Sequence, residues 1–474
     1  VARFFKYRSS DDLLAENRRL DIDLRLTDDL TPLFQPQAIG SKRVGNRFCI
    51  QPMEGCDGDL DGAPGELTFR RYQRFGAGGA KLIWGEAMAV VPEGRAHPRQ
   101  LIAERRHLPA LTQLVRTCRD AHRHALGSAS DLIIGLQLTH SGRYSYPRAI
   151  LAQRDPLLDP LCLADRVTGR RLEPSDTLVS DQELMRLVDA YVAAARLAWD
   201  AGFDFVDIKQ CHRYLLNELL AAKERPGQYG GPLTNRTRLA REIFHAIRTE
   251  LPDLVLATRM NVYDGIPFVK GTDGIGRPVS YHTPVRSAFG VNEKHPMSPD
   301  LQEPLEWIGE MVRLGVRLVN VSLGNPYTSP HLLRPFEYPP PDGYDPPEHP
   351  LVGVDRHFRL TAEIQQRFPE LAIVGSGYSY LQEYLPMAGA ANVRDGRVTF
   401  VGYGRASLAQ PDLPSQLQRN GKLDRRRVCR TFSYCTALMR SKHNPLGQFA
   451  TGCPPFDKEV YGPIWDEARR RPLA

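Results

Sequence analysis

The chain has 474 residues, 42% of them hydrophobic and 25% charged, the make-up of an ordinary soluble globular protein, long enough for one large barrel with an appendage or for two to three smaller domains. Its 62 basic against 55 acidic residues leave a net charge of +7 spread along the chain, and the short clusters Arg425-Arg426-Arg427 and Arg469-Arg470-Arg471 read as solvated surface rather than a nucleic-acid patch. Eight scattered cysteines do not make the disulfide framework of a small secreted domain, and no apolar run reaches the roughly 18 residues that span a bilayer.

The start, Val1-Ala2-Arg3-Phe4-Phe5-Lys6, soon turns acidic and is unlike a signal peptide. The expectation is a cytoplasmic protein with neither a membrane nor a nucleic-acid partner, and the absence of an initiating Met points to a processed start. Residues 1–33 form an extension of mixed charge. Short apolar runs rich in β-branched residues then recur at 47–53, 80–90, 132–140, 203–210, 254–262, 316–324, 372–377 and 398–405. Stretches of helical period lie between many of them, such as 237–251 and 181–201, the latter with Leu184, Leu187, Val188, Tyr191, Val192, Ala195 and Leu197. Apolar strands alternating with helices predict an α/β fold with a covered parallel sheet. Eight such units favour a closed (β/α)8 TIM barrel over 34–414, with an open doubly wound sheet as the alternative.

Polar side chains stand at the carboxyl ends of these runs: Gln137 and His140, Lys209 and His212, Arg259 and Asn261, and Arg405. In a barrel those ends share one mouth, where active sites of this architecture are built. The connections 263–300 and 325–351 are too long and too poor in periodicity to be plain crossovers. They are expected to overhang the mouth as lids, binding loops or interface arms. Residues 415–474 form a tail.

Three groups of motifs carry a family resemblance. The first strand reads Gly45-Asn46-Arg47-Phe48-Cys49-Ile50-Gln51-Pro52-Met53, and the third ends Gln137-Leu138-Thr139-His140-Ser141-Gly142-Arg143. Around the fourth come Ala201-Gly202-Phe203-Asp204-Phe205-Val206-Asp207-Ile208, His212-Arg213-Tyr214-Leu215-Leu216 and Tyr229-Gly230-Gly231-Pro232-Leu233-Thr234-Asn235-Arg236. In order and spacing these are similar to the old yellow enzyme and dienoyl-CoA reductase family of FMN barrels. The resemblance implies FMN as cofactor, NADH or NADPH as reductant and a small-molecule substrate. It implies Pro52, Met53 and Ala87 as backbone and packing contacts to the flavin, and Gln137 as the amide at its pyrimidine edge. Arg259 takes the place of the cation that stabilises the reduced ring near N1 and the C2 carbonyl. Gly375, Gly377, Gly404 and Arg405 take the place of the phosphate site, which barrels commonly build after strands seven and eight.

The sequence also departs from the family. Lys209 stands where many relatives have the first His of a substrate-oxygen-binding pair, while His212 keeps the second position and Tyr214 keeps a tyrosine that donates a proton in several branches. Lys209 is expected either to polarise a substrate oxygen or to have its charge taken by an acid in the mouth. Relatives near trimethylamine dehydrogenase hold an iron–sulfur cluster just after the barrel, but here Phe432 stands where a ligand belongs, between Cys429 and Cys435, with Cys453 beyond. Buried structural cysteines are expected in place of a cluster, and the chain is too short for the further domains of those enzymes. The tail either covers the barrel or reaches a neighbouring subunit, since relatives often complete sites from a partner chain in a homo-oligomer. Three functions follow: reduction of an activated alkene by Lys209, His212 and Tyr214 over the flavin, oxidation of an amine or saturated substrate, or flavin binding without catalysis.

Overall fold

A computed structural model describes residues 2–441, 444 and 448–470; Arg471 and parts of the tail between 441 and 448 lie outside them. Eight parallel strands close into a barrel in sequence order. They are β1 Phe48–Ile50, β2 Leu82–Ala89, β3 Ile133–Thr139, β4 Phe205–Ile208, β5 Val255–Tyr263, β6 Val316–Leu323, β7 Ala372–Gly375 and β8 Phe400–Tyr403. Closure is sealed by β8 on β1, with Val401 opposite Phe48, so the open-sheet alternative does not hold. Each apolar run contains one strand, and β5 continues one residue past its run to Tyr263. Most strands are shorter than their runs because ladder pairing stops where the chain turns into the mouth.

Helices follow the strands: α1 Glu66–Ala77, α2 Leu108–Leu126, α3 Asp181–Ala201, α4 Arg238–Glu250, α5 Gln302–Arg313, α6 Pro350–Arg367, α7 Leu385–Arg394 and α8 Leu413–Asn420. The third shows how local sequence sets its limits. Ser180 Oγ accepts from the Glu183 backbone N–H at 3.1 Å, and Glu183 answers by accepting from the Ser180 N–H at 2.8 Å. This capping box is worth about 1 kcal/mol. Gly202, at φ +92°, ends the helix in a left-handed turn that a side chain would resist.

At the amino ends of the strands the barrel is solid. Trp84 and Phe205 meet edge to face at 4.9 Å, within a cluster that includes Leu82, Leu318 and Phe400. Gly135 is required there, because a Cβ at that position would lie 2.0 Å from the Phe205 ring. A hairpin, Gln37–Ile39 with Lys42–Val44, adds Ile39 and Val44 to the same cluster. A ligand is therefore left only the opposite end.

The long connections have structure of their own. Residues 263–300 contain the hairpin Phe268–Lys270 with Gly276–Pro278, and 325–351 contain the short helix Pro330–Leu333. The N-terminal extension is tied down, since Glu337 accepts from the Phe5 N–H at 3.2 Å and from the Tyr380 hydroxyl at 3.0 Å. In the tail, α9 Tyr434–Arg440 and α10 Lys458–Arg470 flank a stretch stitched to the loop after β1, where the Thr451 N–H donates to the Gly55 carbonyl at 2.6 Å. Arg425, Arg426 and Arg427 each pair with a nearby carboxylate. No helix among the described residues is long and apolar enough to cross a membrane.

Candidate active site

A cavity of about 390 Å³ opens at the carboxyl ends of the strands, within the range typical of small-molecule and cofactor sites. Its floor begins where β1 gives way to Gln51-Pro52-Met53-Glu54. Gln51 fixes this exit: its Nε2 donates to Ser376 Oγ at 3.1 Å and its Oε1 accepts from Asn320 Nδ2 at 2.7 Å. Behind the floor lies Asp207, on β4. It accepts from Trp84 Nε1 at 2.7 Å, from Gln137 Nε2 at 2.6 Å and from the Arg259 backbone N–H at 2.7 Å. Burial raises its pKa against the pull of those donors. With one Gln137 N–H spent on Asp207, the amide is fixed in orientation, and its remaining capacity faces the cavity.

After β4 the chain makes a tight, strained turn. His212 and Arg213 both have left-handed backbones, at φ +68° and +60°, a conformation of order 1 kcal/mol or more above the usual for each. Buried polar bonds hold it. The Arg213 guanidinium binds Asp264 at 2.8 Å and also pairs with Asp155, its backbone N–H reaches Asn217 Oδ1 at 2.6 Å, and Asn217 in turn donates to Asp264. The turn projects His212 into the cavity, 3.4 Å from Ser322 Oγ. Burial, reinforced by the charges of Arg259 and Lys209, puts the His212 pKa well below the usual imidazole range, so the ring is neutral.

Lys209 and Tyr214 share this wall. The Lys209 ammonium stands 3.9 Å from the centre of the Tyr214 ring and 3.7 Å from Glu54 Oε1. Glu54 Oε2 lies 3.2 Å from His97 Nε2. Burial acts to raise the Glu54 pKa, but His97 and Lys209 outweigh it and keep it below the ordinary carboxylate range. Of the two expectations for Lys209, the paired one describes its contacts: an acid in the mouth shares its charge, and the ammonium still lines the cavity. The Tyr214 hydroxyl is 3.0 Å from that of Tyr327, and burial holds the Tyr214 phenol well above its ordinary pKa and protonated. Tyr327 stacks on Tyr144 at 4.1 Å, and Tyr144 is anchored by Asn325 Nδ2 at 2.8 Å.

Lys209, His212 and Tyr214 thus come together with Pro52, Met53, Gln137 and Arg259, and with Gly377, Gly404 and Arg405, around one space. Ala87 and Gly375 do not line it. Their carbonyls accept from Gln100 Nε2 at 3.2 Å and from Gln51 Nε2 at 3.3 Å. Several lining residues gave no local signal in the sequence, among them His97, Tyr144, Tyr327 and Arg334. The tail adds Cys435, Met439, Arg440 and Thr451 to the lining.

A family-wide sequence profile described as the NADH:flavin oxidoreductase / NADH oxidase family matches residues 32–276, just over half of the chain. The chain belongs to that family. An NADPH dehydrogenase from Halalkalibacterium halodurans is 30% identical over 242 residues, covering 50% of this chain and 62% of that protein. One from Geobacillus thermodenitrificans is 28% identical over 300 residues, covering 62% and 73%. Among solved structures, the old yellow enzyme homologue from Zymomonas mobilis superposes with a TM-score of 0.59 at 21% identity, covering 84% of this chain and 96% of that one. A 2-naphthoyl-CoA reductase gives 0.64 at 20% identity, covering 92% and 58%. At such identities the structures carry the fold alone.

The family's cofactor is FMN, and the cavity's own groups fit it. Arg259 Nε and Arg405 Nη1 are buried N–H groups with no protein partner among the described residues. Gly377, at φ +96°, turns the chain beside Ser376 and Ser379 without a side chain in the way. Buried donors without acceptors are costly unless a ligand completes them. At the place where a cluster ligand would stand, Phe432 packs edge-on against Tyr338 at 5.2 Å, and of the three tail cysteines Cys453 is buried while Cys429 and Cys435 are half-buried. Iron and sulfide assays on anaerobically purified protein are expected to find neither in stoichiometric amount. Stoichiometric iron and sulfide would contradict this.

Proposed function

We propose that this protein is an FMN-dependent ene-reductase that draws electrons from NADPH or NADH and reduces an activated carbon–carbon double bond. The observation that carries the reading is the convergence of three unlike donors, Lys209, neutral His212 and protonated Tyr214, on the cavity that also holds Gln137, Arg259 and Arg405. FMN, when bound, supplies a hydride from N5. Gln137 and Arg259 would hold the ring, and Arg405 with Gly377 and Gly404 the phosphate. Lys209 Nζ and the His212 ring N–H would bind the oxygen of the activating carbonyl or nitro group. That oxygen gains negative charge as the β-carbon is reduced, so fixed donors there lower the barrier. The Tyr214 hydroxyl would deliver the proton to the α-carbon. Glu54 shares its charge between Lys209 and His97, so the Lys209 ammonium keeps donor capacity toward the cavity.

Amine oxidation is the second reading, favoured by the Glu54 carboxylate and the faces of Tyr144, Tyr214 and Tyr327, which suit a substrate ammonium. It ranks below the first because the Lys209 ammonium already occupies the place between Glu54 and Tyr214. The relatives named NADPH dehydrogenase support NADPH as the reductant. Cofactor released from the purified protein is expected to chromatograph as FMN, and the bound flavin to bleach anaerobically on addition of NADPH. FAD in place of FMN, no flavin at all, or bleaching by amines and not by either nicotinamide would contradict the reading.

A further inference from the structure

The loop after β6 brings another cation into the cavity. Arg334 follows the short helix Pro330–Leu333 and lines the same space as Arg405 and Arg440. Arg440 has a carboxylate, Asp342, at 3.3 Å. The Arg334 guanidinium meets no such partner among the described residues, because the nearby acid that acts on it, Asp342, is the one paired with Arg440. Arg405 is fixed beside it: its Nη2 donates to the carbonyl of Pro335, the residue after Arg334, at 2.6 Å, while its Nη1 is buried without an acceptor.

Two guanidiniums, neither with a carboxylate partner among the described residues, are thus held against adjacent links of one loop. Burial and the repulsion of Arg405 and Arg440 bring the Arg334 pKa down to about 9, a measure of how poorly the protein alone satisfies this charge. Removing two cations from water without a counter-charge is costly, and an anion between them relieves both desolvation and repulsion. A carboxylate brings one negative charge. A phosphate monoester brings about 1.5 to 2 and three acceptor oxygens, which matches two guanidiniums that lack a counter-charge.

We propose that Arg334 and Arg405 form a clamp on the terminal phosphate of the flavin, and that the clamp ties the 325–351 loop to the cofactor. The inference rests on the reading that FMN occupies this cavity. Its consequence reaches the substrate wall, because the same loop carries Tyr327, whose hydroxyl is 3.0 Å from that of Tyr214. Occupation of the phosphate site therefore steadies the partner of the proton-bearing phenol.

The test compares FMN with riboflavin, which lacks the phosphate, on the full-length wild type, Arg334→Met and Arg334→Lys, by flavin fluorescence and by hydrogen exchange of the 325–334 backbone. Wild type should bind FMN more tightly than riboflavin. Arg334→Met should weaken FMN binding about 10- to 100-fold, as for a lost charge-assisted hydrogen bond, leave riboflavin unchanged, and abolish the extra exchange protection that FMN gives the loop. Arg334→Lys should recover part of the FMN affinity. Unchanged FMN affinity in Arg334→Met, or equal weakening of both flavins, overturns the clamp and leaves the flavin reading standing. A wild type that binds neither flavin overturns the functional reading itself.

Discussion

Replacing Tyr214 with Phe is expected to slow reoxidation of the reduced protein by an activated alkene about 10²- to 10⁴-fold, the usual range for loss of a positioned general acid. Reduction by NADPH should keep its wild-type rate. The substitution is informative because it removes the hydroxyl alone: the ring whose centre lies 3.9 Å from the Lys209 ammonium stays. Burial keeps the phenol protonated, so it has a proton to give throughout the working pH range. The measurement is rapid mixing of the two half-reactions separately. An alkene half-reaction as fast as the parent's would move proton delivery to Tyr327 or to solvent.

Lys209→Met and His212→Ala should each cost turnover on the order of 2 to 4 kcal/mol, or about 30- to 1000-fold in rate, as for a lost donor to a developing oxyanion in a dry pocket. Flavin content should stay near the parent's, since Gln137, Arg259 and Arg405 belong to other elements. The His212→Ala deficit should be constant from about pH 6 to 8, because the ring is already neutral. Lys209→Met has a second effect to separate, for it takes one of two cationic partners from Glu54 and leaves it with His97 alone of the two. The double variant Lys209→Met with Glu54→Gln resolves the two. If the deficit comes from the missing donor, the double stays slow; recovery would assign it to the altered charge balance at Glu54 and remove Lys209 from the chemistry.

Much of this arrangement was legible in the sequence. A β-strand buried on both faces is apolar along most of its length, so the eight barrel strands announced themselves, and the polar residues toward the ends of the runs, Gln137, Lys209, His212, Arg259 and Arg405, pointed to the mouth. The helical period over 181–201 matches α3 at both ends. What stayed hidden depends on contacts distant in sequence. Lys209 and Glu54 are brought together by barrel closure, and nothing near either one announces the other. Asp207 sits within an apolar run, where only Trp84, Gln137 and Arg259 give it a purpose. Ala87 and Gly375 are absent from the cavity lining, and their carbonyls accept from Gln100 and Gln51, residues distant from them in sequence or on another strand. The loops 263–300 and 325–351 lacked periodicity because a short hairpin and a four-residue helix are too brief to show one, and the tail's place in the cavity lining follows from tertiary bonds such as Thr451 to Gly55.

Hydride from the bound flavin should go to an activated alkene. The direct measurement is an anaerobic titration in which the protein is first reduced with one equivalent of NADPH and then given an α,β-unsaturated carbonyl compound. The flavin should return to its oxidised spectrum, with one saturated product formed per flavin. A reduced flavin that survives a panel of such alkenes and is reoxidised only by dioxygen, or an oxidised flavin bleached by amines, would contradict it.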